Sequence, residues 1–222
     1  MSWRSSGKTN IELVETLKKN GLIKTTGVYE AMKAVDRKNY MIESHKTYAY
    51  QDSPQSIGYS VTISAPHMHA MQLELLHAEP GQTILDVGSG SGIICAYLGK
   101  IVGKEGKVYG IDHIKELVDW SIENIKNDSP DLIEDGIVNI VEGDGFVGLP
   151  DLTFDAIHVG AAAPEIPQAL IDQLKVGGHL VIPVGTYSQS LYDVIKTEDK
   201  IVQNYITGVR FVPLCSKKEQ IN

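Results

Sequence analysis

Three alternating glycines follow a short apolar run in Leu85-Asp86-Val87-Gly88-Ser89-Gly90-Ser91-Gly92, residues 85–92 of the chain. The apolar run extends back to Thr83, and a helical pattern continues from Ser91 to Val102. Glycines after a buried strand permit a sharp turn and a close approach of the backbone to a ligand. The helix N-terminus behind them offers N–H groups that have no partner within the helix. These residues therefore predict a strand, a ligand-binding loop and a helix.

Similar apolar runs recur along the rest of the chain, with helical stretches between them. They are rich in Val and Ile and short enough to be buried strands. This alternation predicts an open, mostly parallel α/β sheet with helices on both faces. The predicted strands are Thr83–Val87, Lys107–Ile111, Val138–Val141, Asp155–Val159 and His179–Val184, the predicted helices are Ser91–Val102, Ile114–Lys126 and Pro167–Leu174, and further strands are expected in residues 190–214.

The first third of the chain has a different character. Helical patterns cover residues 9–20 and 28–35, and a third helix follows Ser64 and ends before Pro80. A polar, aromatic loop is expected between Tyr40 and Pro54. We interpret residues 1–222 as one domain, in which residues 1–80 hold the N-terminal helices and a substrate loop, residues 81–185 the ligand-binding α/β core, and residues 186–222 the C-terminal strands and tail.

The composition excludes a disordered or fibrous chain and disfavours two classes of partner. Of the 222 residues, 42% are hydrophobic and 22% are charged, as in ordinary globular proteins. The net charge of −8 disfavours nucleic acid, whose affinity for proteins rests largely on cationic contacts. The sequence contains no apolar run of membrane-spanning length and no signal-peptide core, and its two cysteines make no disulfide framework. We therefore expect a cytoplasmic location, without a membrane partner.

The glycine loop does not match the common nucleotide-binding motifs. In the dinucleotide fingerprint G-x-G-x-x-G/A, the third position is Ile93 counted from Gly88, or Cys95 counted from Gly90. The phosphate-binding motif G-x-x-x-x-G-K-[ST] is absent. Asp86 stands two residues before the first glycine, where a carboxylate would repel phosphate but could help to hold an ammonium group. The loop therefore favours a ligand with an amino-acid end.

Carboxylates end three of the predicted strands. Besides Asp86, they are Asp112, where a carboxylate can accept hydrogen bonds from both hydroxyls of a ribose, and Asp144, which is placed to meet an adenine amino group. Together they suit adenosine that carries an amino acid, as in S-adenosylmethionine. Plainer roles stay open: the glycine loop as a tight turn, Asp112 as the N-cap of the next helix and Asp144 as a turn residue.

These motifs resemble those of a known superfamily. LDVGSGSG (85–92), GIDH (110–113) and EGDG (142–145) look like the cofactor motifs of class I S-adenosylmethionine-dependent methyltransferases. Three further stretches are more specific: DSPQSIG (52–58), ISAPHMHA (63–70) and AIHVGAAAP (156–164). With them, the chain closely resembles the protein-L-isoaspartate (D-aspartate) O-methyltransferase family, from the N-terminal helices to about Leu214.

The resemblance implies methyl transfer from S-adenosylmethionine, which leaves S-adenosylhomocysteine, to the α-carboxylate of L-isoaspartyl residues in damaged proteins. The methyl ester then lets a backbone nitrogen close a succinimide, whose hydrolysis returns some normal aspartate. The implied fold is a Rossmann-like sheet of seven strands with rearranged C-terminal strands and a small helical N-terminal addition. The expected partners are peptides and proteins that contain isoaspartyl residues, and we expect a monomer.

The resemblance also assigns roles to residues. Ser64 is the implied catalytic residue, although the N-cap of the third helix is an alternative role. The implied cofactor contacts are Val61, Thr62, Ile63, His67, Asp86, Gly88, Ser89, Gly90, Asp112, His113, Asp144 and Gly145. The implied substrate contacts are Pro54, Ile57, Gly58, Val212 and Leu214, of which the last two belong to a segment that can offer extended backbone to a peptide. Cys215 stands where the family leads us to expect threonine.

The remaining histidines carry no predicted function. His69, His77, His158 and His179 are interpreted as structural. We expect no metal site, because no cysteine or carboxylate cluster accompanies the His67-x-His69 pair.

The chemistry implied by the resemblance needs no general base, because a carboxylate acceptor is already anionic at neutral pH. The protein must then supply proximity, alignment and exclusion of water. Small side chains in Gly160–Ala163 either leave room for a peptide or pack tightly. Two alternatives stay open: a methyltransferase for a small molecule or RNA, and an S-adenosylmethionine-binding protein without chemistry. The absent Asn/Asp-Pro-Pro-aromatic signature argues against a nucleic-acid base as acceptor.

Overall fold

The N-terminal part begins with the two expected helices. The computed structural model describes residues 5–215, so the ends of the predicted domain, residues 1–4 and 216–222, lie outside the described residues. Helices α1 (Asn10–Lys19) and α2 (Thr26–Ala34) lie within a residue or two of their predicted bounds. Thr9 is the N-cap of α1, and its side chain accepts a hydrogen bond from the backbone N–H of Glu12.

Regular structure also occupies the segment that was expected to be a loop. A 3₁₀ helix, Glu43–Tyr48, lies within it, and another, Arg37–Tyr40, ends where it begins. An antiparallel hairpin of β1 (Gln55–Gly58) and β2 (Val61–Ile63) follows it. Helix α3 (Pro66–Leu75) comes next. The expectation of a loop was therefore wrong for Glu43–Tyr48, whereas residues 49–54 form turns and bends without a helix or strand. The order of this segment depends on distant residues: the Tyr40 hydroxyl donates to Asp128, which is 88 residues away.

A single sheet of seven strands confirms the predicted architecture. Its strands are β3 (Thr83–Val87), β4 (Lys107–Asp112), β5 (Val138–Glu142), β6 (Phe154–Val159), β7 (Leu174–Val184), β8 (Gln189–Lys196) and β9 (Ile201–Val209). Their order in the sheet is β5-β4-β3-β6-β7-β8-β9, with parallel pairing from β5 to β7 and antiparallel pairing of β8 and β9.

Side chains that alternate along the strands build two apolar cores, one on each face of the sheet. The helices after the glycine loop are α4 (Ile93–Val102), α5 (Lys115–Asp128), α6 (Asp131–Glu134) and α7 (Gln168–Gln173). Ile84 belongs to the core shared with α1–α5, whereas Leu85 and Val87 belong to the core shared with α7. None of the helices within residues 5–215 is both long and apolar enough to cross a membrane.

Candidate functional site

The glycine loop lies at the carboxyl end of β3, as predicted. The N–H groups of Gly88 and Ser89 donate to the carbonyl of Ile111 at 2.9 and 3.0 Å, which ties the loop to β4. Gly92, the N-cap of α4, has φ +84°, and a Cβ there would lie 3.0 Å from the Cβ of Ser121. Glycine is therefore required at residue 92 for both conformation and space.

A cavity lies between this loop, β2 and α3, and we call it the glycine-loop cavity. It brings together most of the predicted cofactor contacts with several residues to which no function was assigned. The predicted members are Val61, Thr62, Ile63, Ser64, Asp86, Gly88, Ser89 and Gly90, and the others are His69, Gln72, Ser91, Ile93, Ile94, His158 and Gly160.

Asp86 is held by two protein donors. Nδ1 of His158 lies 2.7 Å from its Oδ1, and the Cys95 thiol donates to its Oδ2 at 3.1 Å. Burial, together with the neighbouring Asp86 carboxylate, raises the pKa of the Cys95 thiol, which therefore keeps the proton that it donates. Because Nδ1 of His158 is engaged by Asp86, the other ring nitrogen, Nε2, remains for a ligand. His158, interpreted as structural from the sequence, thus orients the carboxylate and also lines the cavity.

Several polar atoms in this cavity are buried without a hydrogen-bond partner within residues 5–215. They are Oγ of Ser89, Nε2 of His158, and Oε1 and Nε2 of Gln72. A buried polar atom without a partner costs about 1–3 kcal/mol. Unpartnered donors and acceptors on residues that line one small cavity therefore fit a ligand with its own charged or polar groups, such as the ammonium and carboxylate of an amino acid.

A second cavity, which we call the strand-end cavity, lies over the carboxyl ends of β4 and β6. It contains the predicted Asp112 and His113, and it shares Val61, Gly88 and Gly160 with the glycine-loop cavity, so that the two form one groove. Its lining residues are Val61, Gly88, Ile111, Asp112, His113, Gly143, Gly145, Gly160, Ala161, Val212, Pro213, Leu214 and Cys215.

Asp112 is buried in this cavity, where its carboxylate stabilises the glycine loop and the loop before α5. Its Oδ2 accepts from the N–H of Gly90 at 3.1 Å, and its Oδ1 accepts from the N–H of Ile114 at 3.0 Å. Burial raises the pKa of the Asp112 carboxyl, and these two hydrogen bonds oppose the shift. Helix α5 begins at Lys115 with Ile114 as its N-cap, so the alternative role of Asp112 as the N-cap of this helix is wrong. A carboxylate accepts about four hydrogen bonds, so capacity for a ribose remains.

Asp144 lies outside the cavities described here. Its side chain is exposed, and its Oδ1 accepts from the N–H of Phe146 at 2.9 Å. This hydrogen bond is typical of a turn residue, the alternative role considered for Asp144. Its neighbours Gly143 and Gly145 line the strand-end cavity. A Cβ on Gly145 would lie 2.8 Å from Cδ1 of Leu214, so glycine is needed for this packing. An adenine contact of Asp144 stays a prediction.

The segment Val212–Leu214 closes one side of the strand-end cavity. The N–H of Ala162 donates to the carbonyl of Val212, and the N–H of Leu214 donates to the carbonyl of Ala162, both at 2.8 Å. Ala161, Ala162 and Ala163 are buried, which favours tight packing over open space for a peptide. Pro213 has no N–H, so the edge of this segment that faces away from Ala162 offers a peptide at most its carbonyl.

A larger cleft of about 350 Å³ adjoins the groove, and we call it the Ser64 cleft. Ser64 and Thr62 line both this cleft and the glycine-loop cavity. Helix α3 begins at Pro66 with Ala65 as its N-cap, so the alternative role of Ser64 as the cap is wrong. The lining residues are Pro54, Thr62, Ser64, Ala65, His67, Met68, Met71, Thr207, Gly208, Val209, Arg210 and Phe211.

His67 faces the Ser64 cleft rather than the glycine-loop cavity. Its Nδ1 lies 2.7 Å from Oδ1 of Asp52, and its backbone N–H donates to the same oxygen at 3.0 Å. Burial raises the pKa of the Asp52 carboxyl, but the hydrogen bonds from His67 outweigh burial and leave the pKa below its ordinary value. The predicted contact of His67 with the cofactor stays a prediction.

The predicted substrate residues are not all on the cleft. Pro54 lines it, whereas Val212 and Leu214 line the strand-end cavity. Ile57 is buried in the core, and a Cβ on Gly90 would lie 3.4 Å from its Cδ1, so it supports the glycine loop from behind. Gly58, at φ +90°, lies in the β1–β2 hairpin at a register shift, outside the described cavities.

The sequence prediction missed several residues that line the site, among them His69, Gln72 and His158, and the first two had a readable signal. His69 and Gln72 are polar positions three residues apart on α3, a spacing that places them on one face of the helix. His158 interrupts an apolar strand, but only the pairing of β3 with β6 places it beside Asp86. Within residues 5–215, no group of three or more His, Cys, Asp or Glu side chains is placed to hold a metal ion.

Comparisons with known proteins agree with this geometry. The family model described as Protein-L-isoaspartate(D-aspartate) O-methyltransferase (PCMT) matches residues 8–219. Protein-L-isoaspartate O-methyltransferase 1 of Arabidopsis thaliana is 49% identical over 222 residues, which is 98% of this chain and 96% of that protein. The protein-L-isoaspartate O-methyltransferase of Caenorhabditis elegans is 43% identical over 227 residues, which is 100% of this chain and 99% of that protein.

A solved structure shows the same fold. It is a crystal structure described as a beta-aspartate methyltransferase (PCMT) of Plasmodium falciparum in complex with S-adenosyl-L-homocysteine. Its TM-score is 0.86 at 37% sequence identity, and the match covers 94% of this chain and 99% of that chain.

Proposed function

This chain belongs to the protein-L-isoaspartate(D-aspartate) O-methyltransferase family, and on that premise we propose how its cavities take part in one methyl transfer. The chain transfers a methyl group from S-adenosylmethionine to the α-carboxylate of isoaspartyl residues in proteins. When bound, S-adenosylmethionine supplies a methyl group on a positively charged sulfur. Every other contribution comes from side chains and backbone of the chain.

The observation that carries the proposal is the position of Ser64 at the junction of the glycine-loop cavity and the Ser64 cleft. A residue on both can contact a methyl donor on one side and a peptide on the other. We assign the amino-acid end of the cofactor to the glycine-loop cavity and the adenosine to the strand-end cavity. The isoaspartyl peptide enters the Ser64 cleft.

We infer which residues hold the cofactor from the hydrogen-bonding atoms that the protein itself leaves without a partner. Ser89, Gln72 and His158 offer buried polar atoms to the amino-acid end. Asp112 has capacity for the ribose hydroxyls, in addition to the two backbone N–H groups that it accepts. The left-handed Gly88 lets the backbone approach the ligand closely, because a Cβ there would face open space.

Ser64 orients the acceptor. Its hydroxyl donates to the substrate α-carboxylate and holds one oxygen in line with the methyl group. This carboxylate is ionised at neutral pH, so no residue has to remove a proton. The protein therefore acts through alignment and exclusion of water, which can account for a large share of the barrier reduction.

Arg210 supplies positive charge at the Ser64 cleft, which Ser64 and His67 also line. The chain has a net charge of −8, so an anionic substrate is repelled by the protein as a whole. Arg210 lines the Ser64 cleft, whereas the imidazole of His67 on the same cleft is engaged by Asp52. A guanidinium at the cleft attracts the α-carboxylate and offsets the general repulsion.

Finer features of the protein are also proposed. We infer that residues 1–222 act as one domain, with residues 1–80 supplying the helices and Ser64, residues 81–185 the cofactor core, and residues 186–222 the C-terminal strands and tail. We infer a cytoplasmic monomer without nucleic-acid or membrane partners, on the strength of the acidic composition and the absence of a disulfide framework. Light scattering after gel filtration tests the monomer.

The central experiment compares two peptides of identical composition in a methyl-transfer assay with labelled S-adenosylmethionine. One peptide contains an isoaspartyl linkage and the other a normal aspartyl linkage. We expect a base-labile methyl ester on the isoaspartyl peptide alone. Equal labelling of both peptides, or labelling of neither while S-adenosylhomocysteine binds, would contradict the proposed function.

A further inference from the structure

Arg37 is a buried cation close to the cofactor groove. It begins the first 3₁₀ helix, and its side chain is only 1% exposed. Burial lowers the pKa of Arg37 to about 10, so the guanidinium remains charged at neutral pH. None of the ion pairs formed within residues 5–215 includes Arg37. The nearby Asp52 carboxylate attracts the guanidinium and offsets part of the burial cost, but it forms no ion pair with Arg37. A buried charge without an ion pair is costly, so this position calls for a further compensating group.

The hydrogen bonds of Arg37 point to one neighbour. Its Nη1 lies 3.4 Å from Nδ1 of His69, while its Nε and Nη2 have no hydrogen-bond partner in the part of the chain that the structure describes. His69 in turn lines the glycine-loop cavity, where the amino-acid end of the cofactor is assigned. Arg37 therefore reaches the cavity through the imidazole ring of His69.

The direction of this contact follows from elementary chemistry. A guanidinium has donors and no acceptor, so Nδ1 of His69 must accept and cannot carry a proton. Burial, followed by electrostatic repulsion from the Arg37 guanidinium, lowers the pKa of the His69 imidazole well below its ordinary value. The ring is therefore neutral, with its single proton on Nε2, and Nε2 is left as a donor.

We propose that Arg37 is a positioning residue, which fixes the Nε2–H tautomer of His69 for donation to the cofactor carboxylate and supplies the buried positive charge opposite that carboxylate. The inference rests on the proposed function, which places the amino-acid end of the cofactor in the glycine-loop cavity. It explains why a cation that forms no ion pair among the described residues is kept in the interior.

The first test reads the tautomer directly. Proton–nitrogen NMR spectra of protein with ¹⁵N-labelled histidine distinguish Nδ1–H, Nε2–H and protonated rings, and the His69→Gln variant assigns the signal among the seven histidines. We expect a neutral Nε2–H ring at neutral pH, with and without S-adenosylhomocysteine. An Nδ1–H tautomer or a protonated ring would overturn the proposal, even if the protein proves to be an active methyltransferase.

The second test separates the carboxylate from the rest of the cofactor. Calorimetry measures the binding of S-adenosylhomocysteine and of 5′-methylthioadenosine, which has the adenosine and the thioether but no amino-acid end. In Arg37→Met, we expect about tenfold or more weaker binding of S-adenosylhomocysteine and less than about threefold weaker binding of 5′-methylthioadenosine. Arg37→Lys, which keeps the charge, should recover part of the difference.

Tyr40→Phe is the matched control. Tyr40 ends the same 3₁₀ helix and is fully buried, but it donates to Asp128 and does not line the glycine-loop cavity. This variant loosens the segment and should leave the ratio of the two affinities unchanged. If Arg37→Met weakens both ligands equally, or if Tyr40→Phe changes the ratio as much, the role of Arg37 is structural and the proposal fails. If the wild type binds neither ligand, the proposed function itself fails.

Discussion

His158 and Asp86 are joined across neighbouring parallel strands by a contact of 2.7 Å between Nδ1 and Oδ1. The side chains are 3% and 1% exposed, so neither group is solvated by bulk water. The pair stands at the bend where β3 enters the glycine loop. The imidazole therefore holds the one carboxylate that reaches the loop from β3.

We expect His158→Leu to reduce the free energy of unfolding by about 1–3 kcal/mol, because Asp86 stays buried and loses its main donor. Urea denaturation measures this loss. His179→Leu is the control, since His179 and Asp193 form a similar pair at 2.8 Å with more exposed side chains, 19% and 9%. A loss for His158→Leu no greater than that for the control would contradict the role of burial. Binding of S-adenosylhomocysteine should weaken only in His158→Leu.

Ser64→Ala should lower kcat about ten- to hundredfold and leave the affinity for S-adenosylhomocysteine within about threefold, because the lost hydrogen bond acts on the acceptor carboxylate. Steady-state kinetics on the isoaspartyl peptide and calorimetry supply the two readouts. Ser56→Ala, at an exposed position of β1, is the control and should resemble the wild type. Parallel loss of affinity and turnover in Ser64→Ala would point to a structural role.

The sheet and most helix positions could be predicted because local patterns determine them. Strand β3 matches its prediction residue for residue, since Val, Ile and Leu followed by glycine leave few alternatives. The segment between Tyr40 and Ile63 could not be predicted, because its order comes from contacts such as that of Tyr40 with Asp128. Local propensity carries no information about a partner 88 residues away.

The residues of the candidate site likewise divide into those that the sequence could predict and those that it could not. Asp86, Asp112 and the glycines stand in contiguous motifs, so the sequence could place them together at strand ends. His158 and Arg37 join the site through strand register and through the packing of α3, which no spacing in the sequence reveals. Ile57 shows the converse, because a motif residue predicted to contact substrate is buried behind the loop.

Asp112→Ala should weaken the binding of S-adenosylhomocysteine about tenfold or more, because it removes the acceptor for the ribose and for two loop N–H groups. Asp144→Ala is the informative comparison. Its carboxylate is exposed and already accepts from Phe146, so we expect the loss of the predicted adenine contact to weaken binding less than about threefold. Calorimetry measures the affinity of each variant for S-adenosylhomocysteine. Equal losses would mean that the adenine contact of Asp144 contributes as much to binding as the ribose contact of Asp112.

Arg210→Gln should raise KM for the isoaspartyl peptide about three- to tenfold with little change in the affinity for the cofactor, because the guanidinium attracts the substrate carboxylate. The KM of the wild type should rise with ionic strength, and that of Arg210→Gln should rise less. Lys200→Gln is the control, since Lys200 is an exposed cation between β8 and β9 that does not line the cleft. A KM unchanged in Arg210→Gln would remove Arg210 from the substrate site.

The Asp52–His67 contact predicts a defined pH dependence of stability. The pKa of Asp52 is lower in the folded chain than its ordinary value, which is about 3.9 in an unfolded chain. Its stabilisation is therefore fully present above about pH 5 and is lost as pH falls through the pKa of the folded state. Unfolding of the wild type and of Asp52→Asn, measured from pH 7 down to pH 3, should show a stability difference that shrinks on acidification. Asp199→Asn, at an exposed turn, should track the wild type throughout. A difference that grows toward low pH would reverse the sign required by a lowered pKa and would contradict the assignment of His67 as the group that holds Asp52 ionised.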